Sequence, residues 1–258
     1  MLIQERIIMD LNLQDKVAVV TGGGSGVGRE IARLFCEAGA TVIVADLIPE
    51  KGAETARMLS NLPGKAIAIN ADVTRYAEVK EMIAEALKVT GKVDILVNNA
   101  GFGVLKNFGD TTPDDWMVDL GVNLFGTLHC TRELINHMIE RKYGKVINIV
   151  SDAGRVGEAF QATYSAAKAA VMGFSKALAK EVGAHGINVN CVSLGATKTP
   201  LIMPFITPEI ENRLIKAYPL RRLGLPQEPA ALVIFLASDS AAWITGQVYS
   251  VNGGFSMI

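Results

Sequence analysis

The sequence predicts an α/β protein built on a single doubly wound parallel sheet. Three observations predict it. Short apolar, β-branched runs recur along the chain, each is followed by a segment with helical periodicity, and the first run ends in a glycine-rich turn. Strands that alternate with helices in this way imply right-handed crossovers, which cover both faces of the sheet.

The elements follow in order. Lys16–Thr21 (KVAVVT) is a buried parallel strand that runs into glycines, and Val27–Ala38 carries helical periodicity. Thr41–Asp46 is the second strand, Glu50–Ser60 a polar-faced helix and Ala66–Asn70 the third strand. Ala77–Val89 reads as a helix, Val93–Asn98 as the fourth strand and Val122–Glu140 as a long helix. Lys145–Ser151 is the fifth strand, and Ala162–Val182 a long helix rich in small residues. Ile187–Ser193, a helix at Pro226–Ala237 and a last short strand at Val248–Val251 complete the chain. Neither a repeat nor a linker interrupts it, so one domain at 13–258 preceded by an extension at 1–12 is the economical division. The interval 197–226 differs: it is proline-rich and carries the apolar cluster Leu201, Ile202, Met203, Phe205 and Ile206. It is too long for an ordinary connection, so it is either a substrate lid or packed irregular structure.

Composition narrows the functional class. Half of the 258 residues are hydrophobic and a fifth charged, enough for a large core, and the formal net charge is -1 without blocks of like charge. Nothing there favours nucleic acid or an anionic membrane. Cys36, Cys130 and Cys191 are odd in number and widely spaced, which fits a reducing, cytoplasmic setting without disulfides. His129, His137 and His185 share no ligand spacing with one another or with the cysteines, so no metal site is expected. The first dozen residues lack a signal-peptide pattern, and no apolar run is long enough to span a bilayer.

The glycine turn Thr21-Gly22-Gly23-Gly24-Ser25-Gly26-Val27-Gly28 lies between a strand and a helix. Glycine permits a tight turn and lets backbone N–H groups approach a pyrophosphate at the helix N-terminus, where the dipole favours negative charge. The spacing is G-x-x-x-G-x-G at Gly22, Gly26 and Gly28, with Ser25 and Val27 between, and not G-x-G-x-x-G. Asp46 ends the second strand twenty positions after Gly26, where its carboxylate can accept from the adenosine ribose hydroxyls, with Leu47 beside it. The same charge repels a 2′-phosphate, and no lysine or arginine lies in the turn or directly beside Asp46, so NAD is expected over NADP. The competing account is a strand-end aspartate capping a turn. Asp72-Val73 follows the third strand and is placed to meet the adenine. Asn98-Asn99-Ala100-Gly101 ends the fourth and lets a dinucleotide pass closely.

Tyr164-Ser165-Ala166-Ala167-Lys168 opens a helix, and residues four apart share a face. A neighbouring ammonium lowers a phenol from its ordinary pKa of about 10 toward the working range of acid–base catalysis. Ser151, at a strand end, faces the same edge of the sheet and can hold a substrate oxygen while Tyr164 moves the proton. A bare Y-x-x-x-K also occurs by chance as a surface pair.

Taken together, TGGGSGVG, the DV at 72–73, NNAG at 98–101, VNLFG, Ser151, YSAAK and the closing ITGQVYSVNGG resemble the short-chain dehydrogenase/reductase family from about Leu13 onward. The resemblance implies a Rossmann-type sheet of about seven strands and a catalytic tetrad of Asn123, Ser151, Tyr164 and Lys168. Asn123 would hold a water that relays protons to Lys168. It further implies homotetramers built through the helices at about 122–140 and 162–182. One departure stands out: the family's usual Pro-Gly after the sixth strand is Leu194-Gly195 here. Gly195, Thr197 and Thr199 remain available for the nicotinamide carboxamide and the pyrophosphate.

The expected reaction is hydride transfer between NAD(H) and a secondary alcohol or ketone. SDAGRVGE at 151–158 is similar to NAD-dependent members acting on cyclic or acyl-thioester alcohols, such as a hydroxyacyl-CoA. In this reading Arg155 contacts a carboxylate, thioester or phosphate of the substrate, against a solvated Arg155–Glu158 pair. An NADPH-dependent 3-oxoacyl-[acyl-carrier-protein] reductase is the alternative within enzymes. A non-catalytic NAD-binding sensor or scaffold is the alternative from another class, and a complete tetrad argues against it.

Overall fold

The structure is a computed structural model and describes residue 11 and residues 13–258, so the extension at 1–12 lies almost wholly outside the described residues. Seven strands form one parallel sheet in the order β3-β2-β1-β4-β5-β6-β7. They are β1 Val17–Thr21, β2 Thr41–Asp46, β3 Lys65–Asn70, β4 Ile95–Asn98, β5 Gly144–Ser151, β6 Ile187–Leu194 and β7 Val248–Val251. The helices are α1 Gly26–Glu37, α2 Pro49–Met58, α3 Tyr76–Thr90, α4 Pro113–Leu120, α5 Gly126–Arg141, α6 Ala153–Val156, α7 Ala162–Val182, α8 Pro208–Leu214 and α9 Gln227–Ala237.

Each strand feeds alternate side chains to two cores, as a pleated strand buried on both faces must. Val20, Val42, Val97 and Ile147 pack under Ile31 and Phe35 of α1 and Val233 and Leu236 of α9. Val19, Ile43, Leu96 and Val146 pack on the other face under Met82 and Ile83 of α3, Leu134 and Met138 of α5, and Leu178 and Val182 of α7. Full burial of one such side chain contributes about 1.5–3 kcal/mol. A one-residue slip in register would exchange the two cores, so the register is held (Val19 opposite both Ile43 and Leu96).

β1 pairs with β2 on one side and β4 on the other. The order of winding therefore reverses there, and a crevice opens at the carboxyl ends of β1 and β4.

The long helix expected at 122–140 covers the last two of three joined pieces, of which α4 is the first. Thr112 caps α4 with a full capping box, in which Asp115 N–H donates to the Thr112 hydroxyl at 3.3 Å and Thr112 N–H to the Asp115 carboxylate at 2.9 Å. A π-helical turn, Gly121–Phe125, then joins α4 to α5. The T-P-D-D signal for α4 stands in the sequence, with Pro113 at the first helical position. The apolar period that marks the later part starts only at Val122, so periodicity alone misses the earlier helix.

Leu194 extends β6 by one residue beyond the expected end, pairing with Ser151 and Val251. A proline there would have no N–H to offer such a ladder.

The interval 197–226 is not structureless, and it sends Tyr218 and Leu223 into the core. Its two ends are pinned by Lys198 N–H to Gly224 O at 2.9 Å and Gly224 N–H to Ala196 O at 3.0 Å. Between them lie two short 3-10 turns and α8, which Thr207 caps by accepting from Ile210 N–H at 3.3 Å. Leu201, Met203 and Phe205 are exposed, which removes core packing as the reason for their apolarity.

Candidate active site

The glycine turn packs against the β4 end through backbone-length contacts. Thr21 Oγ1 accepts from Asn99 N–H and Ala100 N–H, each at 3.0 Å, and Asn99 Nδ2 donates to Thr21 O at 2.9 Å and Gly22 O at 3.2 Å. Asn99 therefore ties two strand ends together with its amide. A Cβ on Gly28 would sit 2.2 Å from Gly22 O, so only glycine fits where α1 leaves the turn. Gly26 has a φ of 53° and faces the Thr199 methyl, with 3.3 Å from an added Cβ. Ser25 and Val27 flank it at the start of α1, whose first N–H groups have no side-chain cap.

A cavity of about 700 Å³ opens beside this turn, lined by Gly22, Asp46, Leu47, Asp72, Val73, Ala100 and Gly101 among the expected residues. Asp114, Met117, Val118 and Val122 from α4 and the following turn, and Leu201 from the 197–226 interval, complete one wall. Three carboxylates line it and no lysine or arginine does. The Asp46 carboxylate also accepts from Gly24 N–H at 2.8 Å and Ile48 N–H at 3.0 Å, so it caps a turn and faces the cavity together. Two cations that the sequence reading passed over lie behind Gly24. Arg29 donates to Gly24 O at 2.6 Å and pairs with Glu54 at 2.6 Å, and the Lys51 Cβ lies 2.7 Å from where a Gly24 side chain would begin. The cradle, the helix N-terminus and the acid-lined cavity together fit a dinucleotide.

Gly195 and Thr197 line a separate cavity of about 380 Å³ with Tyr218 and Asn252, and the Thr197 hydroxyl donates to Gly195 O at 3.0 Å. Tyr218 holds this turn in place: its hydroxyl oxygen accepts from Ala196 N–H at 2.8 Å.

Ser151, Tyr164, Lys168 and Asn123 converge at the carboxyl end of β5. Ser151 ends β5 and accepts from Ala153 N–H at 3.2 Å, while its hydroxyl lies in hydrogen-bonding reach of the Tyr164 phenol. Lys168, one turn along α7, is buried; its Nζ donates to Ile149 O at 3.0 Å and lies 5.7 Å from the centre of the Tyr164 ring. Asn123 occupies the π-helical turn, a local widening found often at functional sites. Its amide donates to Phe102 O at 2.6 Å and Asp119 O at 2.8 Å, and its buried Oδ1 finds no partner among the described residues. Gly101 is the common neighbour, since a Cβ there would meet Asn123 Oδ1 at 3.0 Å and Lys168 Nζ at 3.3 Å.

One expectation needs correction. In the chain by itself the Tyr164 pKa is raised and not lowered: burial acts most strongly, the Ser151 hydroxyl opposes it, and the Asp119 charge adds to it. Lys168 is not among the groups that shift it, and burial pulls the lysine's own pKa down to about 8. Arg155 forms no ion pair with Glu158 among the described contacts. Its two Nη groups donate to the backbone carbonyls of Ile258 and Val248, which binds α6 to β7 and the chain beyond it.

Asp119 is a further residue of this site that the sequence reading missed. The signal was its position one turn before Asn123, hidden because the helix was begun at Val122.

The family model described as Enoyl-(Acyl carrier protein) reductase matches residues 22–256. The chain is 39% identical over 251 residues to the (2S)-[(R)-hydroxy(phenyl)methyl]succinyl-CoA dehydrogenase subunit BbsD of Thauera aromatica, covering 96% of this chain and 99% of that one. It is 36% identical to the 3-oxoacyl-[acyl-carrier-protein] reductase FabG of Chlamydia pneumoniae, covering 96% and 100%. It is also 36% identical to the 7alpha-hydroxysteroid dehydrogenase of Escherichia coli, covering 95% and 96%. These relatives differ in what their names say they act on, yet each matches almost end to end. The chain belongs to the short-chain dehydrogenase/reductase family, whose members oxidise hydroxyl groups or reduce keto groups.

Proposed function

We propose that this enzyme is an NAD-dependent dehydrogenase of secondary alcohols, acting on a hydrophobic, cyclic or acyl-thioester substrate such as a hydroxyacyl-CoA. The observation that carries the cofactor choice is the cavity at the end of β2, with Asp46, Asp72 and Asp114 in its walls and no cation. A ribose 2′-hydroxyl can donate to Asp46, whereas a 2′-phosphate would meet like charge. Bound NAD would supply the hydride acceptor during alcohol oxidation.

The remaining chemistry belongs to this chain. Ser151 orients the substrate oxygen, and Tyr164 takes the hydroxyl proton in oxidation or returns it in reduction. Lys168 brings the positive charge nearest the phenol and loses it as pH rises through about 8. Asn123, through its unpaired Oδ1, holds the water by which Lys168 exchanges protons with solvent. The substrate side is apolar: Phe102, Phe160, Leu201, Met203 and Phe205 are exposed on the loops around Tyr164 and on the 197–226 interval, which acts as a lid.

Assembly as a homotetramer through α5 and α7 follows the family pattern. The exposed Ala166, Ala170, Gly173 and Ala177 give α7 a face flat enough for close helix packing. Three buried free thiols suit a cytoplasmic setting, and no described helix is long and apolar enough to cross a membrane.

The second reading is an NADPH-dependent 3-oxoacyl reductase, favoured by the FabG relatives and by Lys51 behind Gly24. Steady-state rates with NAD and NADP across secondary alcohols and hydroxyacyl thioesters decide between them. Preference for NAD in oxidising a cyclic or thioester alcohol is expected. Preference for NADPH with a 3-oxoacyl thioester as the fastest substrate would replace the first reading with the second.

A further inference from the structure

Directly after Ser151 stands Asp152, with only 2% of its surface exposed. A buried carboxylate is costly unless donors meet it. Both of its oxygens are met here. The Ser193 hydroxyl on β6 donates to Oδ1 at 2.7 Å, and the Asn252 amide, one residue past β7, donates to Oδ2. The Asp152 N–H donates to Leu194 O at 3.0 Å, so its main chain and side chain reach the same strand end. One residue thus joins the carboxyl ends of β5, β6 and β7.

Asn252 carries the connection further. Gly195 N–H donates to Val251 O at 3.3 Å, and a Cβ on Gly195 would lie 3.0 Å from Asn252 Cα. The turn Gly195–Thr197 therefore rests on the residue that Asp152 holds. Asn252 is also fixed on its far side, where Oδ1 accepts from Gly254 N–H at 3.0 Å and Nδ2 donates to Ser256 O at 2.9 Å. The same segment grips the end of the 197–226 interval. Leu220 N–H donates to Gly253 O at 3.2 Å, and the Phe255 and Tyr218 rings stack with centres 5.3 Å apart. Apolar side chains could fill this space without burying a carboxylate. What the polar network adds is direction, because hydrogen bonds fix relative position and apolar contacts do not.

We propose that Asp152 is a positioning residue for the reaction: through Ser193 and Asn252 it sets the separation between the Ser151 hydroxyl and the turn Gly195–Thr197. It acts through these neighbours and not by touching the reactants. This rests on Ser151 orienting the substrate oxygen and on Gly195 and Thr197 receiving the nicotinamide, as read above.

Asn252→Asp sets a second carboxylate against the first and should push the strand ends apart. Adding Asp152→Asn restores a donor facing an acceptor, with the two positions exchanged. ADP-ribose lacks the nicotinamide, so its affinity does not depend on the turn Gly195–Thr197, whereas NADH affinity does. In Asn252→Asp, NADH binding by fluorescence titration should weaken about three- to tenfold relative to ADP-ribose binding by competition. With the fastest secondary alcohol at saturation, kcat should fall about tenfold or more. The double variant should recover most of both losses. A folded Asn252→Asp that keeps the parent ratio of NADH to ADP-ribose affinity would overturn the proposal, as would a double variant no better than Asn252→Asp. Should the parent prefer NADPH, that cofactor and 2′-phospho-ADP-ribose take their places, and the comparison is unchanged.

If Asn252→Asp does not fold, Ser193→Ala removes one donor from Asp152 and should shift the same ratio by about two- to threefold. An unchanged ratio there overturns the proposal. So does failure of both variants to fold, which would make the network a requirement of the fold alone. Ser151→Ala separates the two claims. If it retains turnover, the role of Ser151 fails; if it is inactive while Asn252→Asp keeps the parent ratio, only the role of Asp152 fails.

Discussion

The two halves of the site are built by different means. On the β1–β4 side, the cradle for the dinucleotide is closed by short backbone-length contacts: Thr21, Asn99 and Asp46 each bond to main-chain groups, and Gly28 fits only because it lacks a Cβ. On the β5–β6 side, the rim facing the substrate is exposed apolar side chains on loops, with Phe205 66% exposed and Leu201 48% exposed. A conserved-geometry ligand needs preset donors and acceptors. A variable hydrophobic body needs only apolar surface that can close over it and exclude water. Tyr164 sits at the junction of the halves, so its replacement should separate binding from chemistry.

The largest effect is expected there. Tyr164→Phe should lower turnover by about a hundredfold to ten-thousandfold while NADH fluorescence titration stays near the parent value. Substantial residual turnover would break the assignment of proton transfer to this phenol.

Gly28→Ala tests the rigid half. Its Cβ would press on Gly22 O at 2.2 Å and Asn99 Nδ2 at 2.5 Å, so the turn must shift. A loss of about 1–3 kcal/mol in stability, seen as a lower Tm, should accompany weakened NADH binding. Unchanged affinity would mean that the cradle is less preset than its contacts imply.

Asp46→Ala sharpens the same half. The loss of one charge-assisted hydrogen bond should weaken NAD use by about ten- to a hundredfold and raise the relative use of NADP. The Lys51 stem lies beside Gly24, so Asp46→Ala combined with Lys51→Ala should gain less for NADP than Asp46→Ala alone. Cofactor ratios from steady-state rates check both, and an unchanged NAD/NADP ratio in Asp46→Ala would refute the ribose contact.

The smallest effect belongs to the rim. Phe205→Ser should change stability by no more than about 0.5 kcal/mol, because the ring is already in water. It should raise KM several-fold, on the order of one apolar contact, for the most hydrophobic alcohols only. A large fall in Tm would instead make the Phe205 ring part of the packed core.

Much of the fold was legible because strand and helix periods differ. TVIVAD at 41–46 and the helix at 162–182 match the expected boundaries, and most other elements agree within a few residues. α4 escaped because it is only 8 residues long and its signal is a cap, not a period. The site was legible where a residue's place along a strand already places its chemistry: Asp46 and Ser151 end strands, and strand ends of such a sheet meet the ligand. Arg155 marks the limit of that rule. Four residues past a strand end, nothing local says whether a long side chain turns to the crevice or to β7.

Sequence alone determined the parallel sheet, the glycine cradle, the acidic end of β2 and the pairing of Tyr164 with Lys168. Each depends on neighbours within one element or on a period repeated through the chain. Tertiary structure decided the rest, because the deciding groups come from distant elements. It placed Asn123 Oδ1 and Lys168 Nζ around Gly101 and turned Arg155 onto Ile258 and Val248. It also set the buried carboxylate of Asp119 against Val104 N–H in the loop after β4. Charge and burial at the phenol are summed over space, and no stretch of sequence records that sum.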